Sequence, residues 1–125
     1  MRLSYGRASV LLTGDAEEGA ELRMTASHKE LASLVLKVSH HGAKAGTSEA
    51  FLDAVQPEMA VIQVGADNRL GHPAPEVLAR LEEKGAQVLR TDVHGKIEFI
   101  TDGQSYWVET YRDVRFSIDD NPGRM

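Results

Sequence analysis

Leu34-Val-Leu-Lys-Val-Ser-His-His-Gly42 decides how this chain is read. Its first five residues are β-branched or leucine apart from Lys37, a run too short for an ordinary helix and lacking the polar alternation of a strand that faces water. The pattern predicts a strand buried on both faces, as in sheets covered by helices, and it runs straight into two imidazoles and a glycine. Met59-Ala-Val-Ile-Gln-Val64 repeats the pattern and leads into the polar loop Gly65-Ala-Asp-Asn-Arg-Leu-Gly-His-Pro73. Ser9 to Thr13 is a third apolar run, ended by Gly14-Asp15, and the alternating Arg2 to Tyr5 suits a hairpin through Gly6-Arg7.

Helical signals fall between these runs. Ala16 to Met24, acidic at its start, predicts a short helix capped by Asp15. Thr47 or Ser48 caps a second helix whose apolar residues are Phe51, Leu52 and Val55, stopped before Pro57. The clearest helix spans residues 75–84, with Pro75 in its first turn, Val77, Leu78 and Leu81 on one face and Gly85 as its stop. Residues 88–90, 96–101 and 105–111 read as strands, the last two as a hairpin around Asp102-Gly103, and Asp113 to Met125 reads as a fraying tail. Strands alternating with helices, then a strand-rich end, predict an α/β fold with a mixed sheet and flanking helices.

A length of 125 residues fits one domain, and 42% apolar with 26% charged residues excludes a disordered or fibrous chain. The formal net charge of −5 argues against a general basic coat for nucleic acid and leaves room only for a local basic site. With no cysteine, thiolate chemistry is excluded and any metal must be held by His, Asp or Glu. No window approaches the roughly 20 apolar residues of a membrane span, so the sequence predicts a soluble chain. No Walker loop, Gly-x-Gly-x-x-Gly string or Gly-x-Ser-x-Gly elbow occurs, so nucleotide-fold and serine-hydrolase readings lack their signatures and become minor.

Asp15, His40-His41 and His72 all follow apolar strands, where ligand sites of α/β proteins collect, and Gly14, Gly42 and Gly71 beside them allow close backbone approach. Carboxylate and imidazole together suit a divalent cation such as Zn²⁺ or Mn²⁺. Taken singly, Asp15 reads as a helix cap and His72 as a loop residue before Pro73. Adjacent imidazoles after a buried strand are harder to dismiss, because they forgo apolar burial unless something uses them. If the strand continues through them, His40 and His41 point to opposite sides and only one is a metal ligand. His28 and His94 read as solvated.

Leu11-Leu-Thr-Gly-Asp15, Leu36-Lys-Val-Ser-His-His-Gly42, Phe51-Leu-Asp-Ala-Val-Gln-Pro57, Val64-Gly65, Asn68-Arg-Leu-Gly-His-Pro73, Glu76-Val-Leu78 and Arg90-Thr-Asp92 occur in an order and spacing that resembles the C-terminal part of the metallo-β-lactamase-fold domain of ComEC-type DNA-internalisation competence proteins. The resemblance runs from about residue 1 to 110. It implies a partial domain over 1–112, the C-terminal half of an αββα sandwich, followed by a tail at 113–125. It implies further a metal-dependent phosphodiesterase or nuclease acting on DNA during uptake. In it Asp15 is the bridging carboxylate and one of His40 and His41 the last metal-ligating histidine; His41, immediately before the glycine, is the choice, with the reverse assignment as the alternative. His40 and His72 serve catalysis, and Lys44 and Arg69 hold the phosphate.

Two departures accompany the resemblance. Ala43 stands where the family has serine, and the N-terminal His-x-His/Asp-x-Asp-His ligand string is absent. Even one catalytic zinc takes about three protein ligands, so the chain is expected to be inactive alone and to need the missing half. The implied partners are DNA and that N-terminal half, or a membrane-embedded channel region of the same protein attached to the bacterial cytoplasmic membrane. Apolar surface left open on half a sandwich also suits self-association. The alternative is a truncated, non-catalytic module of the same fold.

Overall fold

Each apolar run forms a strand. The computed structural model describes residues 1–27, 30–65 and 70–111 and the backbone of 115–117. β1 (Arg2–Tyr5), β2 (Ala8–Leu12), β3 (Val35–Lys37), β4 (Met59–Ile62) and β5 (Gln87–Arg90) lie side by side in that order. β1 and β2 make the expected hairpin, with Tyr5 opposite Ala8, whereas β2 to β5 are mutually parallel. Parallel neighbours need crossovers, which α1 (Glu18–Ala26), α2 (Glu49–Val55) and α3 (Pro75–Glu83) provide. β6 (Ile97–Thr101), β7 (Tyr106–Thr110) and β8 (Arg115–Ser117) form a second, antiparallel sheet. The architecture is mixed α/β with a mixed sheet and flanking helices.

Period-two alternation divides the strands between two cores. Leu36, Val38, Ala60 and Ile62 face the helices and are buried with Phe51, Leu52 and Val55 of α2 and Val77 and Leu81 of α3. Val35, Met59 and Leu89 point the other way and pack with Tyr106 and Val108 of the second sheet. Burial on both faces is what the nearly continuous apolar runs require. At about 1.5–3 kcal/mol for each large side chain taken out of water, it holds β3 and β4 from both faces.

Helix ends follow local chemistry. The Ser48 side chain accepts from the Phe51 amide, choosing Ser48 over Thr47 as the cap of α2, and Pro75 opens α3. α1 differs from expectation: it begins at Glu18 with Glu17 as its N-cap, and Asp15 does not cap it. The reason is the preceding turn, in which Gly14 takes φ +58° and the Ala16 amide donates to the Thr13 carbonyl at 3.1 Å. That turn reverses the chain at Asp15 before a helix can start.

Two elements were not legible in the sequence. α4 (Thr91–His94) is a single turn after β5, and β8 lies inside the stretch read as a tail, its register on β7 placing Phe116 opposite Val108. Met1, Leu3 and Tyr5, at the edge strand β1, are largely exposed. Among the described residues no helix is long and apolar enough to cross a membrane.

Candidate functional site at the strand ends

β3 stops at Lys37, so the period-two argument for His40 and His41 does not apply. After the Val38 amide donates to the Val61 carbonyl at 2.9 Å, the backbone turns left-handed over three consecutive residues, His40 (φ 48°), His41 (φ 55°) and Gly42 (φ 82°). A left-handed conformation costs an L-residue about 1–2 kcal/mol, and such strain is typically retained where function demands it. Three main-chain bonds hold the turn. The Ala43 amide donates to the His40 carbonyl, the His40 amide to the Gly14 carbonyl, and the Ala74 amide to the Gly42 carbonyl, each at 2.9 Å. A Cβ on Gly42 would lie 2.6 Å from Cβ of Pro73, so only glycine lets the loop carrying His72 lean on this turn.

This geometry gathers three imidazoles. The His40 ring centroid lies 5.8 Å from that of His72, nearly edge-on, and 6.3 Å from that of His41. His41 Nδ1 is 2.6 Å from the Gln63 carbonyl oxygen. A carbonyl only accepts, so Nδ1 carries the hydrogen and the neutral ring keeps its lone pair on Nε2, the arrangement found in histidines oriented for metal binding. His40 Nδ1 lies 3.1 Å from Oε1 of Glu17.

Beside His41 a shallow depression of about 300 Å³ is lined by Gln63, Val64, Gly65 and Thr91. Its wall is fixed by the Thr91 hydroxyl, which accepts from the Val64 amide at 2.8 Å and donates to the Val64 carbonyl at 2.9 Å. The Arg90 guanidinium grips Asp92 through two bonds, at 3.0 and 2.7 Å, and holds the Asp92 carboxyl below the usual range.

The loop from Ala43 to Thr47 is clamped from both sides. Glu21 of α1, 1% exposed, accepts from the Thr47 and Ser48 amides, while Arg80 of α3 donates to the carbonyls of Thr47 and Gly46 at 2.9 and 3.2 Å. A buried carboxylate on the amides and a guanidinium on the carbonyls satisfy backbone groups that a loop under a helix would otherwise leave unpaired.

Asp15 is exposed in the Thr13–Ala16 turn, next to the Gly14 carbonyl that His40 engages, and Lys44 is exposed in the clamped loop. Arg69 and His28 lie outside the described residues. His94 is half-buried, its Nδ1 3.1 Å from both the amide nitrogen and the carbonyl oxygen of Arg90, so it is tied to the end of β5 where the sequence reads it as solvated. Glu17, Glu21, Thr91 and Arg80 were missed. The acidic start of α1 was a signal for Glu17, but one that helix-dipole chemistry explained equally well. Imidazole and carboxylate donors fit a divalent cation in kind; among the described residues, however, no three His, Asp or Glu side chains are grouped to hold one.

No family model matches the chain, and no solved structure gives a significant match. Curated proteins do match it. The chain is 40% identical over 97 residues to ComE operon protein 3 of Bacillus subtilis, which takes in 78% of this chain and 12% of that protein. It is 37% identical over 100 residues to Competence protein ComA of Neisseria gonorrhoeae, covering 79% of this chain and 14% of the relative. Recombination protein 2 of Haemophilus influenzae is 39% identical over 92 residues, covering 74% of this chain and 11% of the relative. The chain is thus similar to one segment of these proteins, one of which is named a competence protein, and it spans about an eighth of the length of these curated relatives.

Proposed function

We propose that residues 1–112 are the C-terminal part of a metallo-β-lactamase-like αββα domain, and that the complete domain is a metal-dependent phosphodiesterase or nuclease acting on DNA during competence-linked uptake. The observation that carries the reading is the gathering of three imidazoles past the sheet end: His40 and His41 in a strained turn stitched to the backbone beside Asp15, and His72 from the following loop with its ring against that of His40. The names of the relatives support the competence setting. Asp15 and His41 would hold the metal, Zn²⁺ or Mn²⁺, which supplies a bound water made acidic near neutral pH. His72 and His40 line the same strand ends and serve catalysis, and Lys44 and Arg69 offer positive charge to a phosphate.

The partners in this reading are DNA and an N-terminal half bearing the missing ligands, or a membrane-embedded region of the same protein; a second copy meeting the exposed residues of β1 is a further partner. The incomplete donor set among the described residues favours a second reading, a truncated module that holds an ion weakly and does no chemistry.

One experiment separates them: metal content and DNA hydrolysis of the 125-residue chain, alone and joined to the upstream half of a longer relative. The hydrolase reading expects no turnover from the chain alone and chelator-sensitive hydrolysis from the joined protein. A joined protein that is folded, metal-free and inactive establishes the second reading.

A further inference from the structure

Glu17 occupies the N-cap of α1 in extended conformation, yet its side chain caps nothing there. N-cap positions favour short side chains that accept from the first helical amides, and glutamate is not among them. Its Oε1 instead reaches His40 Nδ1, 23 residues along the chain, at 3.1 Å. Both side chains are well exposed, 53% for Glu17 and 37% for His40, so the pair adds little to stability. What it does determine is which nitrogen of His40 carries the hydrogen. An ionised carboxylate only accepts, so Nδ1 is the donor and the neutral ring holds its lone pair on Nε2.

We propose that Glu17 is the positioning residue of the site: it holds neutral His40 in the Nδ1–H tautomer, so that Nε2 acts as an acceptor toward a proton and not as a hydrogen-bond donor to a phosphate oxygen. His41 reaches the same tautomer through the Gln63 carbonyl. The two adjacent imidazoles therefore present the same nitrogen, one fixed by main chain and one by an exchangeable side chain. A local rule broken at a helix start, with its acceptor spent on a neighbouring histidine, is the kind of conflict expected at a working site. The inference rests on reading the strand-end histidines as that site, but its test reads the ring itself and needs neither metal nor turnover.

Side-chain ¹⁵N correlation spectra of the metal-free 125-residue chain, taken at about pH 9 where ordinary imidazoles are neutral, report the tautomer of each of its 5 histidines. His40 is assigned by the signal lost in His40→Gln. Wild type is expected to show His40 predominantly as Nδ1–H. Glu17→Ala shifts it to the Nε2–H form that free histidine favours. Glu17→Ser is too short to reach His40 but is a better cap, so it loses the tautomer while its melting temperature holds or rises. Retention of Nδ1–H in the alanine and serine variants, or a wild-type Nε2–H ring, overturns the proposal. Failure of the hydrolase reading instead leaves these spectra as expected and shows only as a joined protein without metal or turnover.

Discussion

The amide of His40 donates to the carbonyl of Gly14 at 2.9 Å, so the turn after β3 is fastened to the turn after β2. Parallel pairing of these strands, with Leu12 opposite Lys37, brings both exits to the same sheet end. The turns that carry Asp15 and His40-His41, distant in sequence, thereby become neighbours through main chain.

In the chain joined to the upstream half of a longer relative, the proposed hydrolase reading expects Asp15→Asn and His41→Ala each to lose metal and activity, because in that reading the first removes charge shared with a cation and the second removes a ligand. His40→Ala is expected to keep metal and slow turnover by about 10–100-fold, the usual effect of a residue that supports a metal site without holding it. Metal analysis with DNA-hydrolysis rates checks this. An emptied site in His40→Ala beside a filled one in His41→Ala reverses the ligand assignment.

Backbone strain in the turn has its own signature. His41→Gly and His41→Ala both delete the imidazole, but only alanine retains a Cβ at φ 55°. The glycine variant is expected to be more stable than the alanine variant by about 1 kcal/mol, the inverse of their order in ordinary helices. Urea denaturation of the two measures the difference, and equal stabilities would mean that the turn relaxes in solution.

Glu21 is buried against two amides, so Glu21→Ala leaves both without an acceptor. The expected cost is about 2–4 kcal/mol, from unsatisfied donors and lost packing. Glu21→Gln, keeping one amide oxygen, costs less. Since the same carboxylate clamps the loop carrying Lys44, hydrogen exchange at Thr47 and Ser48 is expected to accelerate in Glu21→Ala beyond the change in global stability.

The Arg90–Asp92 pair gives a pH dependence with a definite sign. Hydrogen bonding from Arg90 lowers the carboxyl pKa in the folded chain. Asp92 therefore stabilises the fold above the ordinary aspartate pKa of about 3.9, and that contribution is lost as pH falls through the lowered folded value. Asp92→Asn is expected to cost about 1–2 kcal/mol at pH 7, as for a charge-assisted pair, and to cost nothing extra once the wild-type carboxyl is protonated. Thermal melts of both proteins from pH 7 downward should converge in acid; a gap independent of pH would show that packing, not charge, is what Asp92 contributes.

The sequence by itself determined β1 to β7 and the three crossover helices, though not α4, β8 or the start of α1. Nearly continuous apolar runs at Leu34–Val38 and Met59–Val64, a cap at Thr47 or Ser48, Pro75 in the first turn of α3, and the turn at Asp102-Gly103 act through neighbours within a few residues. It also singled out His40, His41, His72 and Asp15, because chemistry-bearing residues after buried strands are conspicuous. Only the tertiary structure decided what those residues do to one another. The left-handed turn at His40 and His41 exists because Gly14 and Ala74, distant in sequence, hold its main chain, and no local propensity encodes that. Glu17 meets His40 across 23 residues, and Glu21 meets Thr47 across 26. Such contacts follow from strand order and register, which are settled by packing the two cores, not by the residues flanking each site.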